Sequence, residues 1–111
     1  TMIISHCETR ESVENLDEIL KVTGLDVIFI GPMDLSQSYG IPGRTNDPEI
    51  TEAIADITAK TLAAGKVLGT VAGTPEAART LIQKGFQYIL LASDLGMIMK
   101  WGKNALEKIR T

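Results

Sequence analysis

The chain has 111 residues, of which 44% are hydrophobic and 23% charged, with a net charge of −3 and one cysteine. This composition is typical of a globular protein with one modest core, so residues 1–111 are interpreted as a single domain. The even spread of basic residues argues against a nucleic-acid partner, and no apolar stretch approaches the roughly 20 residues of a membrane span. Because one cysteine cannot form an internal disulfide, we expect a reducing, cytoplasmic setting.

The chain opens with an apolar run and a helical pattern. Residues 2–7 predict a buried strand that ends before Glu8. Thr9 is a typical N-cap, and apolar residues at helical spacing predict one helix over residues 10–22. Gly24 is expected to end it.

The second apolar run, Val27–Ile30, does not alternate with polar residues, which is typical of a strand covered on both faces. Gly31 and Pro32 predict a turn that ends this strand, so Asp34 should lie just past its carboxyl end. Residues 35–46 are expected to be irregular, and long loops of this kind are often functional.

The rest of the chain repeats the alternation of apolar strand and capped helix. Asp47 followed by Pro48 predicts a helix start, and Thr74 followed by Pro75 repeats that signal. The remaining predicted elements are helices over residues 48–64, 75–84 and 95–109, the last capped by Ser93 and Asp94, and strands over residues 67–71 and 87–91.

The element order is therefore βα repeated four times, without a hairpin signal. This order predicts an α/β fold with parallel strands and right-handed crossovers. Two architectures fit: a small open sheet, or half of a (β/α)₈ barrel, since a full barrel takes about 250 residues.

Glu8 and Asp34 occupy equivalent places, just past two successive strands. On the carboxyl side of a parallel sheet both carboxylates could converge on one hard divalent cation, such as Mg²⁺ or Mn²⁺. The alternative is that Glu8 is a helix N-terminal acid and that Asp34 bonds its own backbone in a turn.

Other polar residues near these strand ends give weaker indications. The turn Gly31, Pro32 and Met33 could hold a small anion through the amides of Gly31 and Met33, or be a plain turn. His6, inside the first strand, is interpreted as a hydrogen-bonded core histidine rather than a ligand or base. Arg44 is interpreted as a solvated loop residue, although it could reach an anionic substrate.

Three segments together resemble the carboxyl-terminal half of the HpcH/HpaI class II aldolases, which are metal-dependent pyruvate aldolases. They are residues 7–20, residues 27–36, and residues 40–43 followed by residues 48–50. The resemblance covers essentially the whole chain and implies the carboxyl-terminal half of a TIM barrel.

The resemblance also implies a site and a reaction. Glu8 and Asp34 would hold Mg²⁺, Mn²⁺ or Co²⁺ on the carboxyl face, and Gly31, Pro32 and Met33 would cradle the carboxylate of the 2-oxo acid. The implied reaction is reversible cleavage of a 4-hydroxy-2-oxo acid to pyruvate and an aldehyde. The metal would stabilise the pyruvate enolate, and no Schiff-base lysine is needed.

The chain departs from the family pattern in ways that limit this expectation. The family's essential arginine and its histidine–acid pair belong to the amino-terminal half, so we expect no catalytic residue here. His6 falls where the family usually has glutamine, and Asp47 replaces a histidine often found in the long loop.

Two alternatives to an aldolase half-site therefore stay open. One is a catalytically inactive half-barrel that binds a metal or a partner, and the other is a citrate-lyase-like lyase acting on an acyl-thioester. Because a half-barrel exposes two sheet edges and an apolar face, we expect a homo-oligomer or pairing with an amino-terminal half.

Overall fold

The structure, a computed structural model, describes residues 1–110 as one four-stranded parallel sheet with helices. The strands are β1 (Ile4–Cys7), β2 (Val27–Ile30), β3 (Val67–Ala72) and β4 (Tyr88–Leu91). The helices are α1 (Arg10–Glu14), α2 (Leu16–Ile19), α3 (Pro32–Ser38), α4 (Pro48–Ala63), α5 (Pro75–Gln83) and α6 (Asp94–Arg110).

The four strands lie side by side in chain order, β1-β2-β3-β4, and each neighbouring pair is parallel. A doubly wound sheet would reverse its strand order at a switch point, whereas a barrel adds each strand beside the previous one. The observed order is therefore that of consecutive βα units of a barrel.

The core lies between the helices and one face of the sheet. Alternate strand residues point to this face, and they pack against apolar residues of the helices. The core residues from the strands are Cys7, Ile28, Ile30 and Leu68, and those from the helices include Leu16, Leu35, Ile50, Ala53 and Ile57.

Within residues 1–110, no residue on the opposite face of the sheet belongs to this buried core cluster. His6, Phe29, Val71 and Leu90 occupy the alternate positions of their strands, and Val71 and Leu90 are 51% and 47% exposed. We call this side the inner face, because it would face the interior of a closed barrel.

The predicted helix over residues 10–22 is two short helices, α1 and α2, which meet at Asn15. The Asn15 side chain donates to the carbonyl of Glu11 at 2.9 Å, and its backbone lies at φ −97° and ψ 10°. Asparagine side chains compete for backbone hydrogen bonds in this way and interrupt helices. The predicted cap is confirmed, since Thr9 and Ser12 form a capping box.

The prediction of an irregular segment over residues 35–46 is wrong for its first part. Gly31 is the N-cap of α3 and Pro32 its first residue, so the pair that predicted a turn begins a helix. The buried Ser36 hydroxyl donates to the Met33 carbonyl at 2.6 Å and accepts from the Gly43 N–H at 3.0 Å. The following loop is thereby held against α3.

Helix α6 is capped as predicted, because the Ser93 hydroxyl accepts from the Gly96 N–H at 3.0 Å. The helix has no buried residue, and its large apolar side chains are at least half exposed. Within residues 1–110, these side chains are therefore not part of the core. Over residues 1–110, no helix is long and apolar enough to cross a membrane.

Candidate functional site

Glu8 lies between the end of β1 at Cys7 and the N-cap of α1 at Thr9. It therefore precedes the helix, and the acid in the first turn of α1 is Glu11 instead. The Glu8 side chain is 33% exposed, which leaves its carboxylate open to a ligand.

Asp34 is the third residue of α3, in the first turn after β2. The structure gives its carboxylate no hydrogen bond or ion pair with any residue of 1–110. The alternative that Asp34 bonds its own backbone is therefore wrong. The Leu35 N–H makes the first helical bond to the Gly31 carbonyl, at 2.8 Å.

The two carboxylates meet beside Gly31. A Cβ atom at position 31 would lie 2.6 Å from Glu8 Oε2 and 3.3 Å from Asp34 Oδ2. Only glycine leaves this space free, although its φ of −103° and ψ of 90° are open to any residue. The missing side chain, and not an unusual backbone, leaves room for both oxygens.

The interpretation of His6 as a core residue is wrong. Its side chain is 56% exposed, because His6 alternates with the buried Cys7 and so lies on the uncovered inner face. Its Nδ1 lies 3.3 Å from Glu8 Oε2, and its ring centroid lies 5.0 Å from that of Phe29.

These groups line one open cleft of about 410 Å³ at the carboxyl end of the sheet. Sequence reasoning did not single out Phe29, Val71 or Thr45 for it. Phe29 and Val71 could have been found from strand alternation alone, whereas nothing local distinguishes Thr45 in its loop. The lining residues are His6, Glu8, Phe29, Gly31, Pro32, Met33, Asp34, Thr45 and Val71.

The other polar candidates are engaged elsewhere. Arg44, 68% exposed as expected, pairs with Asp47 at 2.7 Å and is not among the lining residues. Arg10 lies 3.9 Å from the centre of the Tyr39 ring and donates to Glu49 at 2.9 Å. Cys7 is buried as predicted, and burial raises the pKa of its thiol.

The donor set suits a hard divalent cation. Glu8 and Asp34 offer carboxylate oxygens on the same side of Gly31. In the part of the chain that the structure describes, no group of three or more histidine, cysteine, aspartate or glutamate side chains could hold a metal, so the protein would supply two ligands here. Mg²⁺ commonly uses one or two carboxylates and keeps waters or substrate oxygens in its other positions. Two carboxylates at an open cleft therefore fit such an ion.

The sequence profile of the HpcH/HpaI aldolase/citrate lyase family matches residues 1–100. The chain belongs to the HpcH/HpaI aldolase/citrate lyase family. Its relatives include a 2-dehydro-3,6-dideoxy-6-sulfogluconate aldolase of Pseudomonas putida, 35% identical over 96% of this chain. A hydroxypyruvate/pyruvate aldolase of Rhizorhabdus wittichii is 37% identical over 93% of this chain.

A solved structure gives the same result. The HpcH/HpaI aldolase/citrate lyase family protein of Burkholderia cenocepacia J2315 superposes on the whole chain with a TM-score of 0.94 and 29% identity. This chain covers 43% of that protein, and it spans 42% of the length of each of the two aldolases. The fold is therefore half of an HpcH/HpaI barrel, which decides between the two predicted architectures.

Proposed function

We propose that this chain supplies the metal and 2-oxo-acid half-site of a class II pyruvate aldolase. The observation that carries the proposal is the approach of Glu8 Oε2 and Asp34 Oδ2 to the same side of Gly31. Family membership supports it, since both aldolases named above match this half of the barrel.

In this proposal five of the residues that line the cleft have a stated task. Glu8 and Asp34 hold a divalent cation, Mg²⁺, Mn²⁺ or Co²⁺, which when bound supplies Lewis acidity toward a 2-oxo acid. Gly31, Pro32 and Met33 contact the substrate carboxylate. Gly31 is the N-cap and Pro32 has no N–H, so we expect Met33 and Asp34, which precede the first helical hydrogen bond, to offer the amides.

The complete reaction needs groups that these residues do not provide. We propose cleavage of a 4-hydroxy-2-oxo acid to pyruvate and an aldehyde, with an arginine that contacts the oxo group of the substrate and a proton-transfer pair, both from the amino-terminal half of the barrel. Arg10 and Arg44 support this division, because both are held in ion pairs and neither is among the residues that line the cleft.

Calorimetric titration with Mn²⁺ tests the half-site directly. We expect Glu8→Gln and Asp34→Asn each to weaken Mn²⁺ binding by more than about tenfold, since each removes one of two charged ligands. Glu11→Gln is the matched control, because it removes the same charge from the neighbouring helix turn and should bind as the unaltered chain does. Unchanged binding in both ligand variants would refute the proposal.

Turnover separates the aldolase from the two alternatives. When the chain is combined with an amino-terminal half of the barrel, we expect pyruvate release from a 4-hydroxy-2-oxo acid that requires Mg²⁺ or Mn²⁺ and stops on chelation or in Asp34→Asn. Metal binding without release in this combination would instead identify an inactive half-barrel. Cleavage of an acyl-thioester in preference to the 2-oxo acid would identify the citrate-lyase-like activity.

A further inference from the structure

His6 is placed between an aromatic ring and the Glu8 carboxylate. Its ring lies 5.0 Å from that of Phe29 with an interplanar angle of 30°. Its Nδ1 lies 3.3 Å from Glu8 Oε2, which is the same oxygen that lies closest to the free space at Gly31. One carboxylate oxygen is thus contacted by the imidazole and turned toward the cleft.

The Phe29 ring that contacts His6 also contacts a second aromatic ring, that of Tyr88. Its ring meets the edge of Tyr88 at 6.1 Å and 80°, across the intervening strand β3. Gly69 makes this contact possible, because a Cβ there would lie 3.0 Å from Phe29 Cδ2 and 3.1 Å from Tyr88 Cδ1. A row of rings therefore runs along the inner face from β4 to β1 and ends at His6.

We propose that His6 is a positioning residue for Glu8, donating from Nδ1 to Oε2 while its ring rests on Phe29. The proposal rests on the proposed function of Glu8 as a metal ligand. A glutamate side chain has several rotatable bonds, and a hydrogen bond from a fixed ring selects the rotamer that presents the carboxylate to the cleft.

The geometry assigns His6 an indirect role. Within residues 1–110 it is not part of a three-ligand cluster with the two carboxylates. It is also the only residue of that range that hydrogen-bonds the Glu8 carboxylate. Its action is therefore through Glu8, in the way that outer-shell partners orient metal ligands.

Three substitutions test the donor separately from the ring. His6→Phe keeps an aromatic ring against Phe29 but removes the donor, and His6→Asn replaces Nδ1–H with an amide donor. Leu90→Ala is the matched control, because Leu90 lies on the same inner face, is not among the residues that line the cleft and has no polar side-chain atom. In Mn²⁺ calorimetry we expect His6→Phe to bind about tenfold more weakly, His6→Asn to recover most of the affinity, and Leu90→Ala to change it less than about twofold. Equal affinity of His6→Phe and the unaltered chain would overturn the proposal.

The imidazole nitrogen resonances give a readout that needs no metal. At about pH 8, where an ordinary histidine is neutral, we expect His6 to carry its proton on Nδ1. Glu8→Ala should move that proton to Nε2 by removing the acceptor. A tautomer that does not respond to Glu8→Ala would overturn the contact. Intact Mn²⁺ binding in Asp34→Asn would refute the proposed metal site. The response of the His6 tautomer to Glu8→Ala would still test the His6–Glu8 hydrogen bond independently.

Discussion

Glu8 Oε2 and Asp34 Oδ2 both border one small space, the position that a Cβ of residue 31 would occupy. The two carboxylates come from different βα units, 26 positions apart in the chain, and they meet because β1 and β2 are paired in register from Ile4 with Val27 to Cys7 with Ile30. The absent side chain at Gly31 is as much a part of the site as the two acids.

Gly31→Ala should therefore disturb the site more than the fold. The new methyl group would lie 2.6 Å from Glu8 Oε2 and force that carboxylate away. We expect Mn²⁺ affinity to fall more than about tenfold while the circular dichroism spectrum stays unchanged. Gly73→Ala is the control, because a Cβ at position 73 meets no atom within 4 Å. Full Mn²⁺ affinity in Gly31→Ala would contradict the assignment.

Gly69→Ala should destabilise the sheet itself. A Cβ at this position would lie 2.9 Å from the Tyr88 carbonyl oxygen and 3.0 Å from Phe29 Cδ2, so backbone and ring must both move. Overpacking of this kind costs about 1–3 kcal/mol, and urea unfolding would measure it. Gly102→Ala in α6, where nothing lies within 4 Å, should cause no loss. Equal unfolding midpoints for the two variants would contradict the prediction.

Two buried threonines should respond in opposite ways to replacement by valine. Thr61 Oγ1 is buried and has no hydrogen-bond partner within residues 1–110, whereas Thr70 Oγ1 donates to the Ile30 carbonyl at 2.9 Å. We expect Thr61→Val to raise the free energy of unfolding by about 1 kcal/mol, because it removes an unsatisfied hydroxyl. Thr70→Val should lower it by about as much, because it breaks a buried hydrogen bond. If denaturant unfolding showed that the free energy of unfolding changes in the same direction in both variants, the prediction would be contradicted.

Stability should fall in alkaline solution partly because of Cys7. Burial raises the pKa of its thiol above the ordinary 9.0, so the folded state holds this proton more tightly than the unfolded chain. The contribution of Cys7 is therefore complete below pH 9.0 and is lost as the pH rises through the folded-state pKa. Urea midpoints near pH 7 and about pH 10 should show a smaller decline in Cys7→Ala than in the unaltered chain. Parallel declines would contradict this account.

The exposed apolar side chains should cause association in solution. Ile98 and Trp101 of α6 are 70% and 75% exposed, and Val71 and Leu90 of the inner face are about half exposed. Soluble monomers rarely present patches of this kind. We expect sedimentation velocity to detect species larger than a monomer, and Ile98→Ser with Trp101→Ser to reduce them. A compact monomer at all concentrations would contradict the prediction.

Local sequence determined most of the element boundaries. Strand β2 was predicted to the residue, because four apolar residues between Asp26 and Gly31 leave little alternative. The caps at Thr9, Asp47 and Thr74 were predicted for the same reason, since a cap depends on a side chain and an amide two or three residues away. The two strand-end acids could be found because parallel strands present their carboxyl ends together.

Only the tertiary structure decided which face of each strand is covered. His6 and Cys7 are adjacent, yet one is exposed beside Glu8 and the other is buried against the helices, because the helices pack on one side of the sheet only. The empty space at Gly31 and the place of Thr45 in the cleft likewise depend on groups far apart in the chain. The sequence by itself determined most of the elements and the two strand-end acids, whereas packing of the sheet against its helices determined the site, because burial is a property of non-local contacts.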